Sequence, residues 1–166
     1  MGLNFIQKWK YNSELEAAML RNSALQRNHV DVGIFTDKFD DNQIEELLQH
    51  IKHSTKNVSV RVLQYKEITS KEPKASTYFK NNVQWSGVPK AAAIDEFLSN
   101  HYSICFIFIH RINAHKMFIL DQLNADFVKG SYVKGLEKYA KFMLDSDHTI
   151  LKDTYTAIMK TLEELS

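Results

Sequence analysis

Four polar side chains that could bind an anion follow the most apolar segment of this chain. That segment, residues 102–110, carries no charge before its terminal imidazole, and a guanidinium, an amide and a second imidazole come after it. Arginine binds phosphate and carboxylate groups through paired hydrogen bonds, and the N–H groups that open a helix also attract anions. The pattern is compatible with an anion-binding site, although the preferred interpretation is that Asn113 is a simple helix cap and that Arg111 pairs with a surface carboxylate. The candidate ligand-binding residues are His110, Arg111, Asn113 and His115.

Two further groups have residue types that could do chemistry, although their patterns favour structural roles. Glu46, His50 and His53 fall on one face of a predicted helix, and these side chains can bind zinc. Zinc needs further ligands that the sequence does not identify, so a solvated helix face is the preferred interpretation. Residues 145–148 combine acids, a serine and a histidine, but adjacency in sequence is not triad geometry, and a helix cap is preferred. We therefore predict neither a metal site nor catalytic residues.

The sequence also argues against a nucleotide cofactor. It contains five glycines, and neither GxGxxG nor GxxxxGK followed by Ser or Thr occurs in it. The loop TDKFDD, residues 36–41, is acidic and therefore has the wrong sign for a pyrophosphate. The single cysteine, Cys105, lies inside the apolar segment, where a thiol is expected to act as a small hydrophobe and not as a nucleophile. No cofactor is predicted.

Composition and charge are those of an ordinary globular domain. The chain has 166 residues, is 44% hydrophobic and 25% charged, and carries a net charge of +1, which suits a single domain over residues 1–166. Balanced charge predicts no general attraction to nucleic acid or to an anionic membrane. The longest apolar run is far shorter than the roughly 20 residues that span a bilayer. One cysteine forms no internal disulfide and no signal peptide is evident, so a cytoplasmic location is expected.

The apolar segment 102–110 also predicts the architecture. A strand with one solvated face alternates apolar and polar residues, and this segment does not alternate. It is therefore expected to be the central strand of a parallel sheet between two helical layers. The predicted fold class is a three-layer α/β domain with a mostly parallel, Rossmann-like sheet of five or six strands. Strands are predicted at 30–35, 57–65, 76–79, 102–110, 125–132 and 139–144, and helices around 44–51, 91–98, 113–123 and 150–165.

Two segments outside this pattern carry their own expectations. Residues 3–28 have the apolar stripe of a helix, so residues 1–28 are expected to flank the sheet or to mediate a homodimer. Trp85 stands in an irregular loop beside Gly87. An exposed Trp85 would indicate a partner surface, whereas a buried one would plug the end of the sheet, and the second role is the preferred interpretation.

Four segments of the second half carry a resemblance to a known family: YFKNNVQWSG, FLSNHYSICFIFIH, ADFVKGSY and FMLD. Over about residues 77–166 the chain resembles a family of small bacterial proteins known only as a domain of unknown function. Members commonly carry an acidic residue just before the central strand, where this chain departs from the pattern and has His101 and Tyr102. The resemblance implies an α/β fold and carries over no catalytic residues.

A shorter likeness, in ICFIFIH and ADFVKG, is to the N-terminal, acceptor-side Rossmann-like half of lipopolysaccharide heptosyltransferases. The chain is too short to contain the donor-binding second half of such enzymes. That missing half counts against transfer activity.

The leading prediction of function is a non-enzymatic cytoplasmic binding or scaffold protein, with an unknown protein or a small anionic ligand as its partner. The alternative is a small-molecule or anion-binding enzyme that uses the four candidate residues. In open α/β sheets, ligands bind beyond the carboxyl ends of the strands, where the strand order reverses. The segments predicted to lie there are 36–37, 64–65, 110–113 and 130–131.

Overall fold

Six parallel strands form one sheet in the computed structural model of the protein, which describes residues 29–70, 76–144 and 151–165. Every neighbouring pair of strands runs in the same direction, so the predicted α/β fold class is confirmed. The strands are β1 (Val30–Thr36), β2 (Val58–Lys66), β3 (Thr77–Phe79), β4 (Tyr102–Phe108), β5 (Ala125–Ser131) and β6 (Phe142–Leu144). The helices are α1 (Asp41–Ser54), α2 (Ala92–Leu98), α3 (Ala114–Gln122) and α4 (Leu151–Leu165).

Strand β4 lies at the centre of the sheet, as its unbroken apolar sequence predicts. The strand order is β3-β2-β1-β4-β5-β6, and every residue of β4 is buried. Successive side chains of a strand point to opposite faces. Cys105 and Ile107 accordingly pack with the helix residues Phe97 and Ile119 on one face, which α2 and α3 cover. The other face of β4 packs with residues of α1 and α4.

Helix α1 shows how local sequence sets an element boundary. The Asp40 side chain accepts a hydrogen bond from the Gln43 N–H at 2.9 Å, and the Gln43 side chain accepts one from the Asp40 N–H at 3.0 Å. This reciprocal cap satisfies two of the N–H groups that the first turn leaves unpaired. Ile44, Leu47 and Ile51 then recur on the face that is buried against the sheet. The cap at Asp40 thus sets the first residue of the helix. The buried face of the helix packs with residues of β1 and β2.

The crossovers place a crevice at the centre of the sheet. Helix α1 connects β1 to β2 on one face, whereas α3 connects β4 to β5 on the other. The strand order therefore reverses between β1 and β4. The chain leaves the carboxyl ends of these two strands in opposite directions, and the gap between the departing loops is where ligands of such sheets bind.

Several predicted details differ from the structure or lie outside it. Strand β6 covers only Phe142–Leu144, because Leu136–Lys138 forms a 3₁₀ turn and its backbone accepts hydrogen bonds from Tyr139 and Ala140. The predicted N-terminal helix falls on residues 1–28, outside the described residues, so its flanking role and the homodimer remain predictions. Residues 145–148 are also outside them. In the described part of the chain, no helix has the length and apolar character needed to cross a bilayer.

Candidate functional site

A cavity of about 610 Å³ opens beyond the carboxyl ends of β1, β2 and β4. Three segments form its walls, one after each of these strands, and the first turn of α3 completes it. This position is the reversal of strand order described above. The lining residues are Asp37, Lys38, Phe39, Asp40, Tyr65, Lys66, Glu67, Ile68, His110, Arg111, Asn113 and Lys116.

Asp37 connects the walls of this cavity. It follows the last residue of β1, and its N–H still pairs with the Phe108 carbonyl of β4 at 3.2 Å. One carboxylate oxygen accepts hydrogen bonds from the His110 N–H and from His110 Nδ1, each at 2.8 Å. The other accepts from the ammonium of Lys116. Because the Asp37 side chain is only 9% exposed and that of Lys116 only 2%, this is a buried ion pair that joins β1, β4 and α3.

Lys116 lies on the inward face of α3, although the sequence gives it no apolar character. His115, Ile119 and Leu120 share that face, while Met117 points outward and is 44% exposed. The Lys116 ammonium also donates to the Arg111 carbonyl at 3.2 Å. It stands 5.2 Å from the centre of the Tyr65 ring, within the range of a cation–π interaction. These contacts compensate the ammonium for the water that it loses on burial.

A cluster of three rings lies behind the cavity wall. Tyr65 contacts His115 and Tyr78 at ring-centre distances of 4.7 and 5.1 Å, and the Tyr78 hydroxyl lies 3.0 Å from His115 Nδ1. Burial, together with the charge of Lys116, lowers the pKa of His115 to about 4, so its imidazole is neutral at pH 7. Burial raises the pKa of Tyr78, so its hydroxyl remains protonated. The hydrogen bond between the Tyr78 hydroxyl and His115 Nδ1 therefore joins two neutral groups.

Tyr65 presents a hydrogen-bond donor to the cavity. Burial raises the pKa of Tyr65, the carboxylates of Glu67 and Asp37 act in the same direction, and Arg111 partly opposes them. The hydroxyl is therefore protonated at neutral pH. It bonds to no other residue in the described ranges, and Tyr65 lines the cavity. The ring cluster fixes the position of the hydroxyl oxygen.

Three of the four predicted site residues come together at the cavity, and the fourth does not. His110, Arg111 and Asn113 line it, whereas His115 is buried behind the wall. The Asn113 side chain accepts a hydrogen bond from the Lys116 N–H at 3.3 Å, so Asn113 is the cap of α3. Arg111 is exposed and forms no ion pair with any residue that the structure describes, which differs from the predicted surface pairing. Ligand binding by the set remains a prediction.

The sequence pointed only in part to the other residues of the site. Asp37 and Tyr65 lie in the predicted strand-end segments 36–37 and 64–65, but nothing in those segments distinguishes them. Lys116 gave no signal, because a lysine on a short helix is expected to face solvent. Its burial depends on Asp37, which is 79 positions away in sequence. A pairing over that distance is set by the topology of the sheet.

The other candidates have structural roles. The rings of His50 and His53 bond through Nδ1 to the carbonyls of Glu46 and Gln49 at 2.8 and 2.7 Å, one turn earlier on α1. Across the described ranges, no three His, Cys, Asp or Glu side chains are placed to hold a metal ion. Cys105 is buried, and burial raises the pKa of its thiol, so the thiolate nucleophile does not form there at neutral pH.

The preferred interpretation of Trp85 is wrong, because its side chain is fully exposed. The loop is a tight turn in which the Gly87 N–H donates to the Gln84 carbonyl and the Gln84 N–H donates to the Val88 carbonyl, both at 2.9 Å. Gly87 has a φ of +83°, and a Cβ there would lie 2.8 Å from the Cβ of Ala114, so the turn is held close to α3. Trp85 belongs to this turn, and its side chain lies in solvent.

Comparison with known proteins gives a family and nothing beyond it. The model of a family of unknown function (DUF6913) matches residues 4–165. The match extends the resemblance noted for the second half of the chain to the first half as well. No curated protein and no solved structure matches. The likeness to heptosyltransferases therefore receives no support.

Replacing Lys116 with methionine should destabilise the protein by about 3–5 kcal/mol, because Asp37 would be left as a buried charge without its cation. Urea unfolding of the purified variant measures the change. In the double variant Asp37→Asn/Lys116→Met, part of the stability should return. If the double variant lost as much stability as Asp37→Asn alone and Lys116→Met alone lose in sum, the two side chains would not be a coupled pair.

His115 should make the protein less stable as the pH falls from about 6.5 to 4. Above pH 6.5 the imidazole is neutral in both the folded and the unfolded chain, so it contributes no pH dependence. Below that, the unfolded chain takes up a proton that the folded protein, with a His115 pKa of about 4, does not. The free energy of unfolding should fall by up to roughly 3 kcal/mol over this window.

The variant His115→Gln lacks this titration and is the matched comparison. Denaturant unfolding of both proteins at pH 7.5, 6 and 5 should show the stability advantage of the native protein shrinking at each step. A constant or growing advantage would contradict a neutral, buried His115.

Proposed function

This chain belongs to that family of unknown function, and we propose that it is a small-molecule-binding protein whose ligand occupies the cavity beyond β1, β2 and β4. The observation that carries the proposal is the position of the cavity. It opens where the strand order reverses, and it is walled by the three loops that leave the strands there. In sheets of this kind the crevice at the reversal is the ordinary place for a ligand.

The rigidity of the walls supports this proposal. The carboxylate of Asp37 accepts hydrogen bonds from both the backbone N–H and the ring of His110. The Lys116 ammonium donates one to the Arg111 carbonyl. Tyr65 is held by the rings behind it. A site whose groups are already in place loses less entropy when a ligand binds.

The charges of the site favour a ligand with a negative group. Lys66 is bonded to Asp41 at 2.6 Å, and Lys116 is bonded to Asp37. Arg111 has five N–H donors and is bonded to no carboxylate in the ranges that the structure describes. An anion in the cavity would supply the partner that its guanidinium lacks.

Binding is the function we propose, with a cytoplasmic location and no catalytic step. If the ligand is also converted, His110 is the group placed to exchange a proton. Asp37 bonds to its Nδ1, and the His110 side chain is 62% exposed toward solvent. An imidazole held in this way by a carboxylate is an arrangement that general bases use.

Binding of small molecules can be located by protein-observed NMR with a mixed set of anionic, cationic and neutral fragments. Saturable shifts should appear in the amides of residues 37–40, 65–68 and 110–113. Shifts that concentrate on another surface, or no saturable shift from any fragment, would contradict a ligand site in the cavity.

A second candidate function is docking of a protein partner through the Trp85 turn. A fully exposed tryptophan on a fixed turn is a typical interface anchor. The exposed Lys80 and Lys90 flank the turn and form no ion pair in the described part of the chain. The partner that fits is a protein with an apolar pocket bordered by carboxylates.

A photo-crosslinking amino acid at position 85 tests this docking in cells that produce the protein. A single discrete adduct is expected from position 85 and none from position 52, on the exposed face of α1. The adduct should weaken when Lys80 and Lys90 are both changed to glutamate. Identical adducts from both positions, or none, would contradict a docking role.

A further inference from the structure

We infer that Tyr65 and Arg111 together form a clamp for the carboxylate of a small monoanionic ligand with an apolar body. The inference rests on the proposed function and names the class of ligand that the cavity takes. One oxygen of the ligand carboxylate would accept a hydrogen bond from the Tyr65 hydroxyl. The guanidinium of Arg111 would donate to the other oxygen. The apolar part of the ligand would lie along Phe39 and Ile68.

The Tyr65 hydroxyl is carried on a fixed ring and has no acceptor among the described residues. The ring is held by His115 at 4.7 Å, by Tyr78 at 5.1 Å and by the Lys116 ammonium at 5.2 Å. These contacts leave the ring little freedom to turn. Its hydroxyl can therefore be satisfied by a ligand in the cavity at a small entropic cost.

Arg111 and Tyr65 line the same cavity. The positive charge of Arg111 also acts on the Tyr65 hydroxyl, whose pKa it lowers against the larger effect of burial. The Arg111 carbonyl is fixed by Lys116, so the base of this side chain is held while the guanidinium reaches into solvent. A guanidinium and a hydroxyl on one carboxylate satisfy both of its oxygens.

The charges of the lining set the charge of the ligand. Three carboxylates, those of Asp37, Asp40 and Glu67, face the cavity together with four cations, those of Lys38, Lys66, Lys116 and Arg111, which leaves one net positive charge (4 − 3). One monoanion balances that charge, whereas a dianion such as a phosphate monoester exceeds it. The side chain of Asn113 already bonds the Lys116 N–H, which leaves fewer N–H groups at the start of α3 for a phosphate.

The apolar part of the lining indicates what the carboxylate is attached to. Phe39 is buried and packs on Phe108, with ring centres 6.0 Å apart, so it forms a firm apolar wall. Ile68 is 84% exposed at the cavity. A ligand with an apolar or aromatic body would cover Ile68, whereas a small inorganic ion would leave it in water.

Benzoate is the probe for this inference, with inorganic phosphate as the competing ligand class. Titration of the full chain, followed by amide NMR shifts, should give saturable benzoate binding in the cavity at roughly millimolar concentration. Phosphate should bind more weakly. The variant Tyr65→Phe keeps the ring and removes only the hydroxyl, so the benzoate Kd should rise roughly fivefold.

The variant Arg111→Gln should lose measurable benzoate binding, and Arg111→Lys should recover only part of it. Arg61→Gln is the matched control, because Arg61 is an exposed arginine on β2 that does not line the cavity. It should leave benzoate binding unchanged. The amide spectra of the variants, compared with that of the native protein, verify their folds.

Three results would overturn the clamp. The first is phosphate binding more tightly than benzoate, and the second is no saturable response to benzoate. The third is a benzoate Kd that is the same in the native protein as in the variants Tyr65→Phe and Arg111→Gln. Binding of another fragment class in the cavity without benzoate would defeat the clamp and leave the binding function intact. If no ligand of any class perturbs the cavity, both fail together.

Discussion

The buried ion pair between Lys116 and Asp37 is the interaction on which the rest of the site depends. Taking two charges out of water is unfavourable, and the pair is tolerated because both Asp37 oxygens and the Lys116 ammonium have hydrogen-bond partners. The Asp37 carboxylate accepts hydrogen bonds from the backbone N–H and the ring of His110 and from the Lys116 ammonium. Lys116 also bonds the Arg111 carbonyl. One carboxylate and one ammonium thus fix the loops after β1 and β4 and the first turn of α3 relative to each other.

The topology of the sheet explains why this pair lies where it does. Strand β4 is buried along its whole length and carries no charged side chain. Asp37 and His110 follow β1 and β4 at their carboxyl ends, where the opposite crossovers of α1 and α3 leave a gap. The network of Asp37, Lys116 and His110 lies in that gap, which apolar side chains could otherwise have filled. The result is a cavity with rigid polar walls on an apolar sheet.

The sequence predicts the parts of this structure that depend on local pattern. The unbroken apolar run of β4 predicts a central strand, and Asp40 followed by Ile44, Leu47 and Ile51 predicts α1. The position of the site at the strand ends follows from the same reasoning. Burial of Lys116 does not, because its partner is 79 positions away. The exposure of Trp85 was also beyond prediction, because a single tryptophan in an irregular loop has no periodic pattern that shows which way it points.

The charged pair at positions 37 and 116 is better explained by the way it orients neighbouring polar groups than by a contribution to the stability of the fold. An apolar pair at positions 37 and 116 would pack against Ile119 and Leu120 and would avoid the loss of hydration, and such replacements are often neutral or stabilising. An apolar side chain at position 37, however, could not hold the N–H and the ring of His110, and one at position 116 could not fix the Arg111 carbonyl. Lys116 also makes the cation–π contact that helps to fix Tyr65. What the ion pair supplies is the fixed direction of three polar groups that face the cavity. That is the property a binding site needs and a stable core does not.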